Sequence, residues 1–177
     1  MDGPDALFAR LPSSARLINA RTGRTLDAAN LLTASGDYAR TLPAHLARGD
    51  RIVVGEADPL DFLVALFAAW QRGLVAVAVN PALAGPEQAI VLTTTGARAW
   101  CGKLRTDLPD APLSAPAAAA GEAPALILMT SGTTGRPKGI VHSLAGLQRR
   151  VDLNLAAIGT APLQNTLCVL PVFFGHG

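Results

Sequence analysis

Residues 51–80 read RIVVGEADPLDFLVALFAAWQRGLVAVAVN, and they contain a complete strand–helix–strand unit. The run 51–56 is short and β-branched, and 74–80 repeats that character, which predicts two strands. Between them, Asp58 is placed to cap a helix with Pro59 at its first position, and Gly73 supplies the stop. The helix is apolar almost all round, so it is expected to be buried. Downstream, 85–96 starts as a helix and 97–101 reads as a further short strand. Upstream, Leu26 to about Leu46 has near-helical apolar spacing at Leu26, Ala29, Leu32, Ala39 and Leu42, with Thr25 as a possible cap and with Gly36 and Pro43 working against it. Strands alternating with helices predict an α/β fold, a layered parallel sheet with flanking helices and right-handed crossovers.

Residues 111–124, APLSAPAAAAGEAP, interrupt the alternation with proline and small side chains. They read as a surface connection within one domain, with a domain boundary as the alternative. ALILM at 125–129 then resumes as an inner strand, apolar on both faces. After the loop that follows, GIVHS (139–143) is extended, 144–158 is helical and TLCVLPVF (166–173) is expected as a last strand.

Length and composition bound the function. A chain of 177 residues, half of them apolar, can bury a sizeable core. The formal net charge of +2 comes from dispersed arginines, with no basic run interleaved with aromatics, so no nucleic-acid surface is indicated. Residues 1–17 begin acidic and lack a hydrophobic segment, and the apolar run from Phe62 to Trp70 is too short to span a bilayer. A cytoplasmic protein without a transmembrane segment is expected. Cys101 and Cys168 have no ligating partner at metal spacing and read as buried free thiols.

The chemistry concentrates at 130–139, TSGTTGRPKG, which holds three glycines, four hydroxyl side chains and a lysine. Glycines let backbone amides crowd an anion, the hydroxyls of Thr130, Ser131, Thr133 and Thr134 add donors, and Lys138 adds a full charge. Each charge-assisted hydrogen bond in such a cradle contributes roughly 1.5–3 kcal/mol. Composition alone leaves a second reading open, a tight turn between two strands. Lys103 and Lys138 are the only lysines beside many arginines, and a compact ammonium suits point-charge contact with phosphate. Two other motifs are excluded. A Walker A loop would need Gly at Pro137 and a hydroxyl at Gly139, and a nucleophile elbow would need glycines at Val141 and Ala145 around Ser143.

TSGTTGRPKG resembles, at every position from Thr130 to Gly139, the phosphate-binding signature of the adenylate-forming superfamily, the acyl-CoA synthetases, luciferases and adenylation domains. The resemblance extends from about Leu17 onward: 21–42 is similar to the family's early helix, 47–83 to its first strand, helix and second strand, and PVFFGHG (171–177) to the start of its acyl pocket. It implies the N-terminal part of a large adenylation domain, with the remainder of that domain and the C-terminal domain lying beyond Gly177. The implied activity is that of an AMP-forming acid–thiol ligase, in settings such as fatty acid metabolism. It would join a small carboxylic acid to ATP as acyl-AMP and pass the acyl group to a thiol, CoA or phosphopantetheine. An adenylation domain loading an acyl carrier protein, and a non-catalytic nucleotide-binding remnant, are the alternatives. The isolated chain is expected to be inactive.

By the same resemblance Thr130, Ser131, Gly132, Thr133, Thr134, Gly135, Lys138 and Gly139 hold the ATP phosphates with Mg²⁺. Lys138 is the catalytic group, because charge builds on the departing pyrophosphate, and Pro137 shapes the loop. Phe173, Phe174, Gly175 and His176 are candidates for the acyl site, with the end of a core strand as the alternative for the first three; the family's histidine directly follows its first aromatic, where Phe174 stands here. His142 matches a histidine common in the family, and a packed imidazole is the reading its strand position favours over a catalytic one. No residue is assigned to a protein-held metal.

Overall fold

The computed structural model describes residues 12–102, 123–130, 137–159 and 165–175. Its centre is a five-stranded sheet. With β3 at Arg51–Val54, β4 at Val75–Ala78, β5 at Ala99–Cys101, β6 at Pro124–Thr130 and β7 at Lys138–Ser143, the strand order is β5-β3-β4-β6-β7. The first four run parallel, Ile52 standing opposite Ala76 and Ala99, and Ala76 opposite Leu126; β7 pairs antiparallel to β6. The chain steps from β3 to β4 in one direction and from β4 past β3 to β5 in the other. Right-handed connections in opposite directions place their helices on opposite faces.

The packing follows that rule. Helix α2 (Pro59–Gln71) brings Phe62, Ala65, Leu66, Ala69 and Trp70 onto the face carrying Ile52, Val54, Ala76 and Ala78. On the other face, Val91 of α3 (Gly85–Thr95) meets Val53, Val75, Val77 and Ile127. Small alanines on β4 lie under the large aromatics of α2, and valines fill the thinner opposite layer. Covering both faces makes the strands apolar without alternation. Each fully buried large side chain, such as Phe62 at 1% exposure, contributes about 1.5–3 kcal/mol of burial.

The helix signals around α2 and α3 match the structure. Asp58 accepts from the Leu60 amide at 2.8 Å, and Gly73 ends α2's turn at φ +67, a conformation that favours glycine. Glu87 reaches back to the Ala84 amide at 2.8 Å at the start of α3. Helix α1 differs from expectation at its start. It runs Ala28–Thr41, capped by Asp27, whose side chain accepts from the Asn30 amide at 2.8 Å. Thr25 and Leu26 are instead in β2 (Thr25–Asp27), hydrogen-bonded as a hairpin to β1 (Arg16–Ile18). The buried face of α1 is Leu31, Ser35 and Ala39 rather than the face of Leu32, which is 36% exposed.

Beyond β6 the layer thins. Helix α4 (Leu144–Ile158) has the expected bounds and is capped by Ser143, yet none of its residues is buried. Among the described residues every buried hydrophobic lies at or before Ile127. The strand expected at 166–173 is not formed: those residues are irregular, with Leu167, Val169 and Leu170 exposed. A β-prone segment becomes a strand only where a neighbour completes its ladder, and none does so among the described residues. Cys168 is therefore exposed, contrary to expectation, whereas Cys101 is buried as expected. Among the described residues no helix is long and apolar enough to cross a membrane.

Candidate functional site

Parallel strands present all their carboxyl ends at one edge of the sheet, where α/β proteins bind ligands. Ala78 is level with Leu128 and Val54 with Ala78 and Cys101, so β6 delivers Thr130 to that edge. The chain returns at Lys138, which stands directly opposite Thr130. The antiparallel strands β6 and β7 that flank the signature thus end and begin at the carboxyl edge of the sheet. Ser131, Gly132, Thr133, Thr134 and Gly135 lie outside the described residues, and the structure describes the two stems.

Thr130 Oγ1 donates to the Lys138 carbonyl at 3.3 Å, which ties the stems together one step below the loop. Both residues are exposed, so the Lys138 ammonium is free to meet a ligand from solvent. Directly opposed residues share a face of a ladder. Leu128 with Ile140 and Thr130 with Lys138 therefore lie on α2's side of the sheet, and Met129 with Gly139 and Ile127 with Val141 on α3's side.

The segment 171–175 arrives on the Thr130 side. A Cβ on Gly175 would stand 3.0 Å from Leu128 Cδ1, and Phe173 packs half-buried against the cluster that holds Leu128. Because Leu128 and Thr130 are two residues apart along one face, about 7 Å, the structure brings the end of β6 beside Phe173 and Gly175. Phe174 is 55% exposed and its ring lies 4.8 Å from that of Phe173, tilted by 54°. His176 lies outside the described residues. His142 is half-buried opposite Leu126.

A second polar group at the same edge was not legible in the sequence. Tyr38 donates to Glu56 Oε1 at 2.9 Å, beside the end of β5. Burial pushes the Cys101 thiol up to about 12, the neighbouring Tyr38 hydrogen bond acting against this and the Glu56 charge adding to it. Burial, with Cys101 and Glu56 nearby, also raises the Tyr38 hydroxyl. Both stay protonated at neutral pH, so this cluster closes the sheet end without supplying a nucleophile. No local spacing signals a contact among residues 38, 56 and 101. Asp58 behaves oppositely: burial would raise its carboxyl, and hydrogen bonds from the Leu60 amide and Asn19, with Arg24 nearby, outweigh that and hold it below the ordinary value.

The AMP-binding enzyme family matches residues 101–177. The long-chain-fatty-acid–CoA ligase FadD13 of Mycobacterium tuberculosis is 28% identical over 174 residues, an alignment covering 82% of this chain and 33% of that protein. The acetyl-coenzyme A synthetase of Pyrobaculum aerophilum is 39% identical over 92 residues, covering 44% of this chain and 14% of that protein. Among solved structures, O-succinylbenzoate coenzyme A synthetase (MenE) from Bacillus subtilis in complex with AMP aligns with a TM-score of 0.75 at 21% identity, covering 98% of this chain and 50% of that one. The chain spans about a third of the length of FadD13.

Proposed function

The chain belongs to the adenylate-forming superfamily, as an N-terminal part, and on that premise we propose that it carries the pyrophosphate-binding half of an AMP-forming acid–thiol ligase. The observation that carries this reading is the pairing of the signature's two ends: Thr130 of β6 and Lys138 of β7 stand opposite each other at the carboxyl edge of the sheet, with Lys138 exposed. The proposed reaction has two halves. A carboxylate oxygen attacks the α-phosphorus of ATP, the bond to the β-phosphate's bridging oxygen breaks, and pyrophosphate leaves with that electron pair. The thiolate of CoA then attacks the acyl carbon and AMP departs.

Carboxylate is a poor electrophile until its oxygen becomes a good leaving group, which AMP provides. The protein's task in the first half is to stabilise charge building on pyrophosphate. Lys138 is proposed as the cation that meets this charge, with the hydroxyls and amides of Thr130, Ser131, Gly132, Thr133, Thr134 and Gly135 as the remaining donors. Among the described residues no group of three or more His, Cys, Asp or Glu is gathered to hold a metal. Mg²⁺ is proposed to enter on the nucleotide, whose phosphates and water suit its octahedral shell. Phe173, Phe174, Gly175 and His176 are proposed to border the acid, a placement supported by the contact of Gly175 with Leu128. CoA is the proposed acceptor, since FadD13 and the acetyl-coenzyme A synthetase are named for it.

The rest of the large domain and a C-terminal domain are proposed to complete the active site in the whole protein. ATP–pyrophosphate exchange by the whole protein, measured against a panel of short, aromatic and long-chain carboxylates, tests the function. Exchange that requires a carboxylate is expected; exchange with none of them, alongside intact ATP binding, would reject the ligase reading.

A further inference from the structure

Gly139 is part of the signature, yet strand alternation turns it away from Lys138 and toward the α3 layer. A Cβ built at Gly139 would lie 2.9 Å from Ile127 Cγ2, 3.8 Å from Met129 Sδ and 4.0 Å from Thr95 Cγ2. The first distance is well inside carbon–carbon contact, about 3.5–4.0 Å. Ile127 has little room to yield. It is 1% exposed, paired with Val77 on β4 and Val141 on β7, and its γ2 methyl is fixed to a β-branched carbon with few rotamers. Thr95 is held as well: it is buried, its hydroxyl donates to the Val91 carbonyl at 2.7 Å, and its carbonyl accepts from the Arg51 guanidinium.

We propose that Ile127 is a positioning residue for the phosphate-loop lysine: its γ2 methyl occupies the space a side chain at 139 would need, and this contact sets how closely β7 approaches β6 and where Lys138 is held. The inference rests on the phosphate-cradle reading of 130–139. Its consequence is that Gly139 is required for what it lacks on the far face of the strand, apart from anything its amide contributes. A methyl at 139 would lift β7 from β6 at the residue adjoining Lys138, and a misplacement of about 1 Å can cost about 10²-fold in rate.

Second-site rescue tests this. In the whole protein, Gly139→Ala is expected to lower carboxylate-dependent ATP–pyrophosphate exchange by 10-fold or more, through kcat, with the KM for the acid unchanged. Adding Ile127→Ala removes the γ2 methyl and is expected to recover at least 5-fold. Adding Ile127→Val keeps that methyl and is expected to recover nothing. An Ile127→Ala double variant no faster than Gly139→Ala, or a Gly139→Ala variant as fast as the native protein, overturns the proposal. If the native protein shows no exchange, the ligase reading fails by itself, and urea unfolding of the 177-residue chain decides the positioning claim. There, a Gly139→Ala/Ile127→Ala midpoint loss smaller than the sum of the single losses supports it, and a strictly additive loss overturns it.

Discussion

Replacing Arg72 by methionine removes a guanidinium that closes the end of α1. Its Nη1 donates to the carbonyls of Ala39 and Leu42 at 3.2 and 3.4 Å, and its Nη2 to those of Pro43 and Leu46 at 3.4 and 3.1 Å. The final carbonyls of a helix have no intrahelical partner, and Pro43 prevents the chain from continuing as helix. One side chain therefore joins the end of α2 to the end of α1 and its exit turn. Hydrogen bonds from a charged donor are worth about 1.5–3 kcal/mol at good geometry. These are long and half-exposed to water, so about 0.5–1 kcal/mol each is reasonable, or about 2–4 kcal/mol for the four together. Methionine keeps the apolar stem, which isolates the polar contribution. In urea, with a slope of about 2 kcal/mol/M, the midpoint should fall by about 1–2 M. The fluorescence of Trp70 and Trp100, both buried, reports the transition. Arg72→Lys should recover less than half, since one ammonium cannot span four carbonyls. Arg40→Met, which breaks only the exposed Arg40–Asp37 pair, should stay within about 0.5 kcal/mol of the native chain. An Arg72→Met midpoint no lower than that of Arg40→Met would refute the clamp.

Thiol chemistry should distinguish the two cysteines. With its thiol pushed up to about 12 and its side chain buried, Cys101 should resist iodoacetamide at pH 8 while exposed Cys168 reacts, giving one labelled thiol per native chain and two in urea; two fast thiols in the native chain would contradict this. Because folding raises the Cys101 value above its ordinary 9.0, its neutral form favours the folded state. That contribution is complete below pH about 9 and is lost as pH rises toward the folded value, so Tm should fall progressively above pH 9, and less in Cys101→Ala. At the acid side, Asp58→Ala removes the α2 cap and its hydrogen bond from Asn19 at 2.9 Å, and should cost about 1–2 kcal/mol by urea unfolding at pH 7. The loss should shrink as pH falls and the native carboxylate is protonated; a pH-independent difference would show that the charge is immaterial.

What the sequence revealed depended on how local the determining contacts are. The unit 51–80 was readable because Asp58, Pro59 and Gly73 punctuate it within one helix length, and both flanking strands are apolar on both faces. The β1–β2 hairpin escaped because its ladder pairs only three residues a side, and Leu26, which pairs with Leu17, also fitted a helical spacing. The last apolar stretch, 166–173, has strand composition, but composition cannot supply the ladder a strand needs. At the site, Thr130 and Lys138 were identified from the signature, but their antiparallel pairing was not, because the alternation of elements pointed to a parallel sheet. The apposition of Gly175 to Leu128, the floor that Ile127 and Thr95 make beneath Gly139, and the Tyr38–Glu56–Cys101 contact all join residues distant in sequence. No periodicity encodes those.

The central claim is that Lys138 stabilises charge on departing pyrophosphate, and its most direct test is carboxylate-dependent ATP–pyrophosphate exchange by the whole protein with Lys138→Ala. Losing about 1.4 kcal/mol of transition-state stabilisation lowers a rate 10-fold, so the exchange rate should fall at least that far, with the KM for the acid unchanged and the 177-residue chain alone showing no exchange. A Lys138→Ala protein that exchanges within 2-fold of the native rate would contradict the account.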